Sequence, residues 1–89
     1  MTPGRHAAAP GAGAPLSRQA ERHPLRLVAV DAGRTMAARL AAMGLLPGAR
    51  LDLVRRSGRG PVVVAVKGVR IALGRGMADK VMVVPWGSP

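Results

Sequence analysis

The stretch "AARLAAMGLLPGARLDLVRR" (Ala37–Arg56) carries a helix, a stop, a turn and a strand in immediate succession. Thr35–Met43, "TMAARLAAM", is rich in helix-forming residues. Met36, Leu40 and Met43 fall at i, i+4 and i+7, one face of that helix. Thr35 or Asp31 offers a side chain to cap its start. Gly44 suits the position just past the helix end, because a left-handed conformation costs glycine little. In a Schellman ending the next residue, Leu45, returns to touch Leu40. Pro47 and Gly48 fit the two central positions of a type II turn. Leu45 and Leu46 therefore sit on a knuckle between helix end and turn. In the strand that follows, Ala49, Leu51 and Leu53 alternate with Arg50 and Asp52, the pattern of a half-buried strand.

Working outward, "LRLVAV" (Leu25–Val30) reads as a strand that "DAGR" breaks. Beyond the loop "SGRGP", "VVVAVK" (Val62–Lys67) is a strand with little alternation, as in a wall covered on both faces. Gly68 marks a tight connection, and "VRIAL" (Val69–Leu73) turns Val69, Ile71 and Leu73 inward. "GRGMADK" is a short irregular or single-turn segment, and "VMVVP" (Val81–Pro85) is the last strand. There is no internal repeat and no βαβ spacing. Five short strands with one short helical insert after the first, all within about 60 residues, predict a mainly β fold: a small, strongly bent barrel.

The chain of 89 residues has room for one domain with a modest core. With one Trp, no Phe and no Tyr, that core is built from Val, Leu, Ile, Met and Ala. The first 24 residues hold four of the eight prolines and almost no large apolar side chain, too little to offset the entropy of ordering. Residues 1–15 are accordingly read as a flexible Pro/Ala/Gly-rich tail and 16–86 as the domain, with Leu16–Pro24 as a turn docked at its edge. No run approaches the ~18 apolar residues of a membrane span. "AAAPGAGAP" is too interrupted for a secretory segment. The expectation is a cytoplasmic protein without direct membrane insertion.

Catalytic chemistry is poorly supplied. The absence of Cys excludes disulfides, thiolate metal sites and a Cys nucleophile. From Leu25 onward the carboxylates are Asp31, Asp52 and Asp79, with no His partner, and the hydroxyls are Thr35, Ser57 and Ser88. Neither paired acid–base carboxylates nor a nucleophilic triad can be assembled from these. His6 and His23 lie in or beside the tail, so no metal ligand set and no cofactor site is identified. "SGRGP" and "GRGMADK" lack the spacing and the strand-to-helix setting of a phosphate-binding loop. The chain reads as a binding module, not an enzyme.

The net charge of +10 favours an acidic partner: nucleic acid, anionic lipid or an acidic protein face. Arg50, Arg55, Arg56, Arg59, Arg70 and Arg75 come from neighbouring strands and loops, where they either share a binding surface or form a solvated face. Sequence-tolerant nucleic-acid binding by small barrels adds aromatic stacking platforms, and here only Trp86 is aromatic. That argues against a single strand as main partner and leaves phosphate contact open. Exposed strand edges leave a homo-oligomer open as well.

The ordered set from "RLAAMGLLPG" (Arg39–Gly48) through the paired Arg55–Arg56 to "VVVAVKGVRIALGR" resembles the FeoA family of ferrous iron transport proteins, over roughly Leu25 to Val84. The resemblance implies an SH3-like barrel and no enzymatic activity. It implies a small cytosolic accessory of ferrous iron uptake, acting by protein–protein interaction with the membrane ferrous iron permease (FeoB type), which carries a G-protein domain. Transition metal ion binding is a family-level property without a ligand set in this sequence. Under this reading Arg39, Met43, Leu45, Leu46, Pro47, Arg55 and Arg56 are the expected partner-binding residues. Of the two leucines, Leu46 is the better external contact, because the Schellman ending uses Leu45. The alternatives are a basic SH3-like nucleic-acid-binding module and a metal-responsive domain like the C-terminal domain of diphtheria-toxin-repressor-type regulators.

Overall fold

A computed structural model describes residues 13–19, 24–56 and 58–88. The expectations for residues 1–12, His23 and Ser57 lie outside the described residues. Six antiparallel strands form one sheet: β1 (Ala14–Pro15), β2 (Pro24–Val30), β3 (Arg50–Arg56), β4 (Val62–Val66), β5 (Val69–Leu73) and β6 (Val81–Pro85). Their order is β1-β6-β2-β3-β4-β5, so the sheet is open between β1 and β5. Helix α1 (Arg34–Ala42) is inserted after β2, and the single-turn α2 (Arg75–Ala78) precedes β6. The five strands and the inserted helix expected from sequence are all present.

The strands bury one face and expose the other. Leu25 and Leu27 of β2, Leu51 and Leu53 of β3, and Val62, Val64 and Val66 of β4 point into one core with Val81 and Val83 of β6. Leu40 of α1 and Leu45 close that core from the helix side. The outward Val63 and Ala65 of β4 are half-exposed, so this strand alternates after all. Its valine run reflects β-propensity rather than cover on both faces.

Two bulges bend the sheet and reset its parity. The β2–β6 register shifts between Leu27 and Ala29, and the β3–β4 register between Leu53 and Arg55. An extra residue in one strand turns every later side chain to the opposite face. Leu53 pairs with inward Val64, and beyond the bulge Arg56 pairs with inward Val62. Simple alternation from Leu51 and Leu53 would have put Arg56 outside.

The helix end follows its sequence signals. Gly44 sits at φ +94°, its N–H donates to the Ala41 carbonyl (2.9 Å), and the Leu45 N–H donates to the Leu40 carbonyl (2.8 Å). These are the two bonds of a Schellman ending. The Ala49 N–H donates to the Leu46 carbonyl (3.0 Å) across Pro47–Gly48, with Gly48 at φ +94°, as a type II turn requires. The helix start differs from expectation. Gly33 is its N-cap, and neither Thr35 nor Asp31 supplies a capping side chain.

Order begins before the boundary drawn from composition. Ala14 and Pro15, counted with the tail, pair with Val83 and Met82 of β6. Gly13, at φ +81°, lies so close to β6 that a Cβ would come within 2.7 Å of the Val83 carbonyl oxygen. A 3₁₀ turn, Leu16–Arg18, follows, and Leu16 is fully buried in the core. The Ser17 hydroxyl, also buried, donates to Asp79 Oδ1, and Arg56 Nη1 donates to the Ser17 carbonyl (2.9 Å).

Candidate functional site

Four large apolar side chains stand out of the surface among the described residues: Met43 (45% exposed), Leu46 (43%), Val69 (60%) and Trp86 (45%). The first three line one groove of about 690 Å³ between the end of α1 and the β4–β5 hairpin. The Schellman ending fixes one wall, since the reversal at Gly44 turns Leu45 inward and leaves Met43 and Leu46 outside. A Cβ on Gly44 would meet Val66 Cγ1 at 3.1 Å, so the glycine also lets the helix end rest on β4. The hairpin fixes the other wall. Lys67 and Gly68 both have positive φ, 51° and 81°, as the two-residue turn demands. The inward face of β5 rises out of the core along its length: Leu73 is buried, Ile71 partly buried and Val69 mostly exposed. Lys67 and Arg70 also line the groove, and no carboxylate does.

Of the residues expected to bind a partner, the structure brings Met43 and Leu46 to this groove. Leu45 is fully buried and turned away, so it staples the helix end and offers nothing to a partner. Arg39 and Pro47 are exposed but outside the groove. Arg55 is exposed on β3, whereas the bulge turns Arg56 inward, where it holds the Ser17 carbonyl. The conspicuous Arg55–Arg56 pair is thus split between the two faces of the sheet, with Arg55 exposed and Arg56 half-buried. Sequence reasoning missed Val69, Lys67 and Arg70 as members of the groove. Regular alternation on β5 placed Val69 in the core, and only the length of the hairpin beyond that core lifts it out.

Three more residues of the basic surface, Arg26, Arg50 and Arg75, have internal partners. Arg50 lies 3.8 Å from an Asp52 carboxylate oxygen, and its guanidinium is 5.7 Å from the centre of the Trp86 ring. Arg26, paired in register with Arg50, donates to the Ser88 carbonyl (3.1 Å). One face of the only aromatic ring is therefore taken by the chain's own arginine. Arg75 donates to the Gly58 carbonyl and ties the loop after β3 to α2.

No group of three or more His, Cys, Asp or Glu lies together among the described residues. Asp79 is engaged by Ser17 and Asp52 faces Arg50, so the described residues do not fit a transition-metal site. The Ser17 hydroxyl is buried and bonded to Asp79, which clasps the 3₁₀ turn to the segment after α2. No helix among the described residues is long and apolar enough to cross a membrane.

Comparison with known proteins agrees with this architecture. The FeoA domain family matches residues 14–85. A candidate Fe(2+) transport protein A of Methanocaldococcus jannaschii is 39% identical over 69 residues, spanning 78% of this chain and 83% of that protein. The crystal structure of an iron uptake regulatory protein (FeoA) superposes with a TM-score of 0.72 at 36% identity, over 78% of this chain and 92% of that one. A manganese-dependent transcriptional repressor shares the fold alone: TM-score 0.75, 23% identity, 93% of this chain and 48% of the repressor.

Proposed function

The chain belongs to the FeoA family, whose members are accessory proteins of ferrous iron transport, and from that premise we propose that it works in the cytoplasm by docking on the cytosolic G-protein part of the membrane ferrous iron permease. The observation that carries this reading is the family match over residues 14–85, which takes in every described strand and both helices. The groove supplies a surface for the task. Three exposed apolar side chains, with two cations lining the same groove, suit a protein contact better than a substrate pocket. Catalysis is assigned to the partner, since Ser17, Asp52 and Asp79 are engaged within the fold.

The test is direct binding of the purified cytosolic domain of the permease to the full chain, measured by calorimetry in each nucleotide state. Saturable binding is expected, weakened at least tenfold by Leu46→Asp in a variant whose unfolding midpoint is unchanged. Absence of binding at tens of micromolar in every nucleotide state would overturn the reading. Full binding by folded Leu46→Asp would remove Leu46 from the contact.

A further inference from the structure

Strand β5 is a sheet edge to which no further strand is paired among the described residues. It pairs with β4 in unbroken register from Val62↔Leu73 to Val66↔Val69, with no bulge and no proline. Bulges and prolines are two of the devices that blunt an edge against further pairing; a charged side chain is another, and Arg70 is the one that β5 carries. The two-residue turn at Lys67–Gly68 makes Val66↔Val69 a hydrogen-bonded pair, and alternation then makes Val64↔Ile71 and Val62↔Leu73 hydrogen-bonded too. The N–H and C=O groups of Arg70 and Ala72 consequently point away from β4, along the open edge.

The side chains beside that edge divide by face. Val69 and Ile71 lie on the groove side with Met43 and Leu46. Arg70 and Ala72 alternate to the outer face, where Ala65 stands opposite Arg70, and Arg70 also borders the groove at its rim. Arg70 is exposed and makes no ion pair among the described residues. A strand laid against β5 would send alternate side chains into the groove and the others past Arg70.

We propose that β5 takes, by strand addition, an extended segment of a partner protein in which apolar and acidic residues alternate. The apolar residues settle between Met43, Leu46 and Val69, and the acidic ones face Arg70 and Lys67. Charge selects this occupant over a second copy of the chain. Two copies paired along β5 would bring together two Arg70 and two Lys67 on chains of net charge +10 each. The site is the groove used in the docking reading above, but the alternation rule holds whatever protein supplies the segment.

The experiment begins with selection of a random twelve-residue peptide library displayed on phage against the full chain at low salt. Enrichment of sequences alternating acidic and apolar residues is expected. A synthetic peptide of the selected sequence should slow hydrogen exchange at the Arg70 and Ala72 amides. Arg70→Glu and Val69→Asp should each weaken it at least tenfold with the unfolding midpoint retained, and Arg70→Gln should fall between. Failure to enrich such sequences overturns the proposal. So does protection confined to other strands, or indifference of binding to both Arg70 variants. A concentration-dependent dimer in sedimentation that protects the same amides would assign the edge to a second copy instead. Phosphatidylglycerol vesicles that perturb Met43, Leu46 and Val69 would assign the groove to lipid, which equally overturns the proposal. The two readings fail separately: a permease domain that binds but leaves the Arg70 and Ala72 amides exchanging freely ends strand addition and spares the partner.

Discussion

The two edges of the sheet are finished in opposite ways. Beyond β6 the edge carries a two-residue strand, β1, and behind it a turn that drives Leu16 into the core. Ser17 reaches Asp79 from that turn, and Arg56 reaches the Ser17 carbonyl from β3. At the other edge β5 runs unbroken beside exposed Met43, Leu46 and Val69, with no further strand paired to it among the described residues. A domain this small gains little from one modest core, so closing one edge adds burial and hydrogen bonds where they support the fold. Leaving the other edge open costs solvation of a few apolar side chains and keeps a surface for a partner. The difference separates residues that hold the protein together from residues free to recognise something.

The comparison breaks most readily at Leu16. Its side chain is fully buried among the strands, so Leu16→Ala removes burial and leaves a cavity. A loss of about 2–5 kcal/mol is expected from urea denaturation. A loss below about 1 kcal/mol would mean that the closed edge is ornament and that the two edges are energetically alike. A smaller effect is expected at Gly13. Its φ of +81° and the 2.7 Å approach of a Cβ to the Val83 carbonyl oxygen make Gly13→Ala cost about 2 kcal/mol, read from the same urea curves. If instead the substitution is neutral, β1 does not need its close approach to β6, and the contrast narrows to the Leu16 turn.

Much of the open edge and little of the closed one was legible in the sequence. The Gly44 stop, the Pro47–Gly48 turn and the alternation of Leu51 and Leu53 are local signals, and local physics is enough to place them. From these the exposed position of Leu46 and the buried position of Leu45 follow directly. The closed edge depends on contacts between distant residues: Ser17 and Asp79 are 62 positions apart. A stretch rich in Pro, Ala and Gly gives no periodic hint that its single Leu16 is a core residue. Arg56 was misplaced for a related reason. A bulge changes the parity of a strand by one, and nothing in "LDLVRR" marks which residue is the extra one. Val69 escaped notice because alternation gives the face of a residue and not its depth along the hairpin.

The smallest effect is expected on the open edge, and it sharpens the contrast most. Leu45 and Leu46 are neighbours with the same side chain, yet one is fully buried and the other is 43% exposed. The backbone bonds that fix the knuckle, from Leu45 N–H to Leu40 and from Ala49 N–H to the Leu46 carbonyl, use no side-chain atom of Leu46. Leu46→Gln keeps those bonds, creates no internal cavity and adds an amide that water can solvate. Its unfolding free energy should stay within about 0.5 kcal/mol of the parent in urea denaturation. Leu45→Ala, measured beside it, should lose about 2–5 kcal/mol. A Leu46→Gln loss above about 1 kcal/mol would show the exposed leucine to be a second staple of the helix end. The groove would then belong to the fold rather than to a partner, and the open edge would lose its distinction from the closed one.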